Sequence, residues 1–86
     1  MSVAERLLAL ADHCYFKLQM LREKLAKSES NEDDKLIYSK LVDYGKTLTD
    51  VAIKHNLGNN SLILYKLGDF VTALEDVRDK LAEEVV

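Results

Sequence analysis

The side chains with the greatest potential for chemistry are His13, Cys14 and His55. His13 and Cys14 are adjacent, so on a helix they point about 100° apart and are poorly placed to share a metal ion. His55 has no second ligand at helical spacing, whereas a zinc site needs three or four converging ligands. The spacing of these residues therefore predicts no metal site and no cofactor.

Nucleophilic catalysis and calcium binding find equally little support. A reactive thiolate needs a helix start or basic neighbours, but Cys14 falls in the middle of an apolar helical pattern, where core packing is the favoured role. Ser28, Ser30 and Ser61 have no nucleophile-elbow context. The acidic run at 32–34 lacks the alternating ligands and central glycine of a calcium loop. We therefore predict no catalytic residues and no enzymatic activity.

The composition is typical of a small helical protein. The chain has 86 residues, of which 48% are hydrophobic and 31% charged, and it contains no proline. This length allows one domain at most, and the absence of proline favours long, uninterrupted helices. The single cysteine suits a reducing compartment. Glu5 and Asp12 flank the first apolar run, unlike a signal peptide, so we predict a cytoplasmic location with possible peripheral membrane association.

The first helix is predicted at about 3–28. Ser2 followed by Glu5 is the signature of a capping box. Apolar residues then recur at alternating steps of four and three, which is a heptad seam: Leu7, Ala11, Cys14, Leu18, Leu21 and Leu25. The apolar surface is wider than this seam, because further apolar residues fall outside it: Leu8, Leu10, Tyr15, Phe16 and Met20. These residues make the helix apolar over most of its circumference, a surface here called its girdle. Such a helix is usually covered by other elements on more than one side.

Two more helices follow, predicted at about 34–55 and 61–84. Ser30, Asn31 or Asp33 is the expected cap of the second helix, and Asn60 or Ser61 that of the third. The second seam is Ile37, Leu41, Tyr44, Leu48 and Val51, and the third is Ile63, Leu67, Phe70, Leu74, Val77 and Leu81. Gly58 is the expected left-handed residue between them. The alternative is that helices two and three form one kinked helix.

These elements predict an all-α fold of three long antiparallel helices, packed as a bundle or coiled coil in a single domain over 1–86. The chain shows no helix stop signal after Glu84. The third helix is therefore interpreted as continuing beyond Val86, with the domain a fragment of a longer helical module, or as being completed by a partner.

Two glycines lie inside predicted helices. Gly45 and Gly68 should each cost about 0.5–1 kcal/mol relative to alanine. Because a missing side chain lets a neighbouring helix approach closely, we predict that Gly45 packs beside Tyr44 and Leu48 against another helix. Gly68 is predicted to do the same beside Leu67 and Phe70. The helix that approaches each glycine belongs either to this chain or to another.

Charge is spread unevenly along the chain. Residues 1–28 hold five basic and three acidic residues, whereas residues 59–86 hold three basic and six acidic ones, and the net charge is −3. The acidic balance disfavours nucleic-acid binding. Four basic residues of the first helix have two readings, an ordinary solvated face or a surface for anionic lipid: Lys17, Arg22, Lys24 and Lys27.

Residues 36–86 resemble the BAR (Bin/amphiphysin/Rvs) superfamily of membrane-curvature modules. The first similar segment is LVDYGKTLTDV, in which an aromatic residue precedes glycine and a leucine follows. The second is NNSLILYKLGDFVTALEDVRDKLAEEVV, in which a short break is followed by a leucine–valine seam with a charged tail. The resemblance implies a helical dimer that binds anionic membranes through clustered lysines and arginines.

Two functions are therefore predicted. The first is a BAR-like dimerisation and membrane-association module, and the alternative is a helical adaptor or assembly subunit that docks a protein partner through its apolar face. The expected partners are a second copy or a helical protein, with an anionic membrane surface as a further candidate. The residues predicted to form the interface are Leu8, Tyr15, Phe16, Met20, Gly45 and Gly68.

Overall fold

Three helices form an antiparallel bundle in the computed structural model, which describes residues 2–29 and 31–84. Helix α1 spans Val3–Ala26, α2 spans Glu32–Lys54 and α3 spans Ser61–Glu84. The bundle measures 42 × 21 × 18 Å. Its long dimension follows from helices of 23 and 24 residues, which are about 35 and 36 Å long at 1.5 Å per residue. The predicted all-α bundle is confirmed, and the continuation past Val86 lies outside the described residues.

Helix α1 begins at the predicted capping box. The backbone N–H of Glu5 donates to the Ser2 hydroxyl at 3.1 Å, and the Glu5 carboxylate lies 3.5 Å from the Ser2 nitrogen. The helix ends two residues earlier than predicted, because Ser28 adopts a left-handed conformation with φ 56°. The N–H groups of Ser28 and Glu29 then donate to Leu25 and Lys24, which completes a Schellman cap.

Helix α2 begins two residues earlier than predicted, because Asn31 caps it. The Asn31 side chain accepts from the backbone N–H of Asp34, and the Asp34 carboxylate accepts from that of Asn31 at 2.9 Å. This pair forms a second capping box. The alternative cap Asp33 lies inside the helix, and Ser30 lies outside the described residues.

A second Schellman cap separates α2 from α3, so the single kinked helix is wrong. Asn56 has φ 56°, and Leu57 donates to the carbonyl of Ala52 at 2.8 Å. The predicted left-handed residue Gly58 is therefore also wrong, since no described glycine has positive φ. Asn60 caps α3, because its side chain accepts from the N–H groups of Leu62 and Ile63, each at 3.1 Å.

The core lies along the bundle axis. All six residues of the predicted α1 seam are buried. Helix α3 contributes Ile63, Phe70 and Val77, which are fully or almost fully buried, together with Ala73, which the predicted seam did not include. Burial of a side chain as large as Phe70 contributes about 1.5–3 kcal/mol. Helix α1 packs more extensively against α3 than against α2.

Helix α2 is rotated relative to the predicted seam. Leu41 and Leu48 are buried, but Ile37 is 40% and Tyr44 57% exposed, while Ala52, which the predicted seam does not include, is buried. On the side of Gly45, α2 lies close to α3. A Cβ built on Gly45 would lie 2.8 Å from Cε1 of Phe70, so the missing side chain permits this close approach. The seam prediction is therefore wrong for Ile37 and Tyr44.

Candidate interaction surface

The predicted interface residues of α1 lie in two environments. Leu8 and Tyr15 are half-buried and pack against the core of their own chain. Phe16 is 63% exposed and Met20 is 53% exposed. Because Phe16 and Met20 are four residues apart, they are neighbours on the outer surface of the helix. The girdle of α1 is thus partly covered inside the bundle, and only its outer part remains available to a partner.

The two helical glycines differ in their surroundings. Gly45 is in close contact with Phe70 and Leu74 of α3, as predicted for a helix–helix contact. No atom beyond its own helix backbone and chain neighbours lies within 4 Å of a Cβ built at Gly68. The expected close approach at Gly68 is therefore wrong within the described part of this chain, and a contact with another chain stays a prediction.

The four predicted lipid-binding residues do not form one patch. Arg22 faces α3, where its Nε lies 2.9 Å from Oδ2 of Asp76. Lys24 faces α2, where its Nζ lies 3.1 Å from Oδ1 of Asp34. Lys17 lines a groove between α1 and α2, and exposed Lys27 follows the last residue of α1. Two of the four cations therefore already hold carboxylates of their own chain.

The groove between α1 and α2 has a volume of about 290 Å³. Its floor is apolar and consists of the buried residues Cys14, Leu41 and Leu48. Leu10, 53% exposed, stands on the α1 side, and Tyr44, 57% exposed, stands on the α2 side. The remaining lining residues are His13, Lys17 and Thr47. The groove thus presents apolar surface between two rows of accessible side chains.

No family model, curated protein or solved structure matches the chain. Functional conclusions therefore rest on the geometry of its surfaces, and the BAR-like relationship stays a prediction.

The groove belongs to a longer surface, here called the α1–α2 face. Positions that alternate by three and four residues lie on one side of a helix. Leu10, His13 and Lys17 of the groove fall on such a row, which the helical spacing continues through Arg6, Met20 and Lys24. Tyr44 and Thr47 of the groove fall on a second row, which the spacing continues through Asp33, Ile37, Lys40, Val51 and Lys54. Both rows can be found in the sequence, but the seams are more apolar and dominate its helical pattern.

A second groove runs between α2 and α3 and also has a volume of about 290 Å³. It is lined by Val42, Gly45, Lys46, Thr49, Asp50, Val71 and Leu74. Val71 is the one large apolar lining side chain that is exposed, at 47%. Lys46 and Asp50 give this groove both signs of charge. It is therefore less apolar and less asymmetric in charge than the α1–α2 face.

The thiol of Cys14 at the groove floor is kept neutral by its surroundings. Burial raises the pKa of the Cys14 thiol, and the nearby ammonium of Lys17 opposes this effect only in part. A nucleophilic cysteine needs the opposite shift, towards the thiolate. At this position the side chain acts as a small apolar group that completes the floor.

Two further properties concern metals and membranes. Among residues 2–29 and 31–84, no group of three or more His, Cys, Asp or Glu side chains is placed to hold a metal ion. Over the same residues, no helix combines the length and apolar character that crossing a bilayer would require.

Proposed function

We propose that this protein is a non-enzymatic helical module that docks a helical segment of a protein partner on its α1–α2 face. The observation that carries this proposal is the pairing of Leu10 and Tyr44, both more than half exposed, across an apolar floor. Large apolar side chains in a contiguous exposed surface are typical of protein-binding sites.

The shape of the surface suits a helix better than an extended peptide. Two antiparallel helices leave a straight groove between them, and both groove rows repeat at heptad spacing. The groove itself spans Leu10 to Lys17, about 10 Å at 1.5 Å per residue, and the row that continues it from Arg6 to Lys24 is about 27 Å long, or about five helical turns. A helix that presents apolar residues at positions i, i+4 and i+7 fits such a groove.

The BAR-like membrane module receives less support from the same surface. Of its four predicted lipid contacts, Arg22 and Lys24 are engaged by Asp76 and Asp34. Lys17 and Lys27 remain available, and two cations supply about 2 kcal/mol of attraction to an anionic membrane. Membrane association and BAR-like dimerisation therefore stay predictions, second to protein docking.

The proposal can be tested by site-specific photocrosslinking in cells of the source organism. A photoreactive benzoylphenylalanine replaces Tyr44 in one variant and Tyr65 in a matched control, since Tyr65 is a similarly exposed tyrosine on α3. We expect a discrete protein adduct from position 44 only, and its loss on Leu10→Asp. Circular dichroism should show that Leu10→Asp remains helical, because Leu10 lies outside the core.

Three results would contradict the proposal. The first is no adduct at position 44, and the second is equal labelling at positions 44 and 65. The third is an adduct that contains lipid alone, which would favour the membrane module. An adduct of exactly two copies of this chain would replace the foreign partner with a homodimer.

A further inference from the structure

We infer that the helix docked on the α1–α2 face is acidic and amphipathic, with carboxylates on both sides of its apolar row. This inference rests on the proposed function and adds the chemical class of the partner. It is drawn from the charges beside the groove.

Five of the six charges on the two rows of the α1–α2 face are positive. The α1 row holds Arg6, Lys17 and Lys24, the α2 row holds Lys40 and Lys54, and the one carboxylate at this spacing is Asp33, in the first turn of α2. This surface is basic although the whole chain has a net charge of −3. A groove lined by one sign of charge attracts segments of the opposite sign.

Four of these five cations have no ion-pair partner within the described part of the chain. Lys24 is held by Asp34 at 3.1 Å, whereas no described carboxylate lies within 4.0 Å of Arg6, Lys17, Lys40 or Lys54. The α1–α3 side differs, because Arg22 meets Asp76 and Lys66 meets Asp12 there. Charge is therefore compensated between α1 and α3, whereas Lys24 is the one cation of the α1–α2 face that a described carboxylate compensates.

The positions of the cations define where the partner's carboxylates must lie. Lys17 stands on the α1 side of the groove and Lys40 belongs to the row on the α2 side, so a helix in the groove has cations on both flanks. Its apolar residues would contact Leu10 and Tyr44, and its flanking glutamates would reach the lysines. The assembly would be a four-helix bundle with charged pairs at its edges, as in coiled coils.

The same charges disfavour a symmetric dimer through this face. A two-fold axis places each surface against its own copy, so cations such as Lys17 and Lys40 would face cations. Like charges at an interface oppose association. The acidic α3 of a second copy has the right sign, and its docking would appear as self-association of the purified chain.

The test is a selection from a displayed library of helical peptides about 21 residues, or about 31 Å, long. All peptides carry leucine at the a and d heptad positions, and each e and g position is glutamate, glutamine or lysine. We expect the clones that bind the full chain to be enriched in glutamate at e and g. Their amide chemical-shift changes should map to the residues around Leu10 and Tyr44, and their affinity should fall as salt rises above about 0.1 M.

Two variants with the same charge change locate the effect. Lys17→Glu alters the α1–α2 face, whereas Lys46→Glu alters the groove between α2 and α3. We expect Lys17→Glu to weaken binding of the selected peptide at least tenfold and Lys46→Glu to change it less than twofold. Both lysines are exposed, so both variants should fold.

The outcomes separate the two proposals. Peptides that bind at Leu10 and Tyr44 without glutamate enrichment, or with lysine enrichment, would overturn the acidic partner and leave the docking function intact. If no peptide of the library binds to this face, both the acidic partner and the docking function would be overturned. Concentration-dependent self-association that Lys17→Glu abolishes would replace the foreign helix with a second copy. Vesicles of phosphatidylserine that displace the selected peptide would assign the cations to a membrane.

Discussion

The ammonium of Lys24 lies 3.1 Å from a carboxylate oxygen of Asp34, whose side chain is only 1% exposed. The second oxygen of Asp34 accepts the backbone N–H of Asn31 at 2.9 Å. One buried carboxylate thus caps the start of α2 and joins α2 to the last turn of α1. This connection depends on both charges, because a buried carboxylate is costly without its partners.

The first prediction is that Lys24→Met destabilises the bundle. Methionine preserves the length and helix propensity of lysine, but it leaves Asp34 without its cation. We expect a loss of about 1–3 kcal/mol in the free energy of unfolding, measured by urea denaturation. Lys35→Met is the matched control, because Lys35 pairs at 3.4 Å with Glu32, which is 89% exposed. The control should change stability by less than about 0.5 kcal/mol; equal effects would show that burial of Asp34 is unimportant.

The second prediction concerns the two helical glycines, which should respond to alanine in opposite directions. In Gly45→Ala the new methyl group meets the ring of Phe70, which is fully buried and has little room to move. We expect overpacking to cost about 1–3 kcal/mol, more than the gain in helix propensity. Gly68→Ala meets open space and should stabilise the chain by about 0.5–1 kcal/mol.

Thermal unfolding of the two alanine variants provides the measurement. A melting temperature that rises for both would place Gly45 in open space and contradict the close contact with Phe70. Gly45→Leu should lower the melting temperature further than Gly45→Ala, because the larger side chain must displace the same ring.

The third prediction compares the two phenylalanines. Phe70 has no exposed surface and Phe16 is 63% exposed. Phe70→Ala should therefore cost about 3–5 kcal/mol, whereas Phe16→Ala should stay within about 0.5 kcal/mol of the parent protein. Guanidinium denaturation gives both values. A large loss for Phe16→Ala would mean that this side chain is buried in solution by self-association, which a concentration series would reveal.

The fourth prediction is a loss of stability at alkaline pH that depends on Cys14. Burial raises the pKa of the Cys14 thiol in the folded chain, so the unfolded chain loses its proton first. The stabilising contribution is complete below the unfolded pKa, about 8.5, and is lost as pH rises towards the folded pKa. Unfolding free energies measured from pH 7.5 to 10 should decline, and Cys14→Ala should remove part of that decline.

The alanine substitution also removes packing contacts, which lowers the unfolding free energy at every pH. The comparison therefore uses the slope of the unfolding free energy against pH in the two proteins. A decline of the same steepness in Cys14→Ala would assign it to other groups. Tyr38 is the main candidate, since burial also raises the pKa of its phenol.

The heptad pattern predicts the fold well where a helix has one dominant apolar row. All six seam residues of α1 are buried, and three of the six α3 seam residues are. The capping box Ser2–Glu5 is predicted directly, whereas for α2 the sequence left three candidate caps, of which Asn31 is the one used. These features depend on neighbours in the sequence, so the sequence alone specifies or narrows them.

Features set by contacts between helices are harder to predict. Tyr44 has the correct spacing for the α2 seam but is exposed, and the next residue, Gly45, is the one that lies against Phe70 of α3. Whether a lysine is free or paired likewise depends on what the next helix places opposite, as with Asp34 and Lys24. The α1–α2 face follows from both effects, and it was therefore missed as a site.

The preference of α1 for α3 over α2 has a consequence for biosynthesis. The helix made first finds its largest partner surface in the helix made last, so a nascent chain carries the apolar row of α1 incompletely covered until α3 is available. A product truncated after the second helical cap would lack α3 and with it the larger of the two surfaces that cover α1. We expect such a product to be recognised by quality-control proteases, and pulse-chase measurements should show a much shorter half-life than that of the full chain.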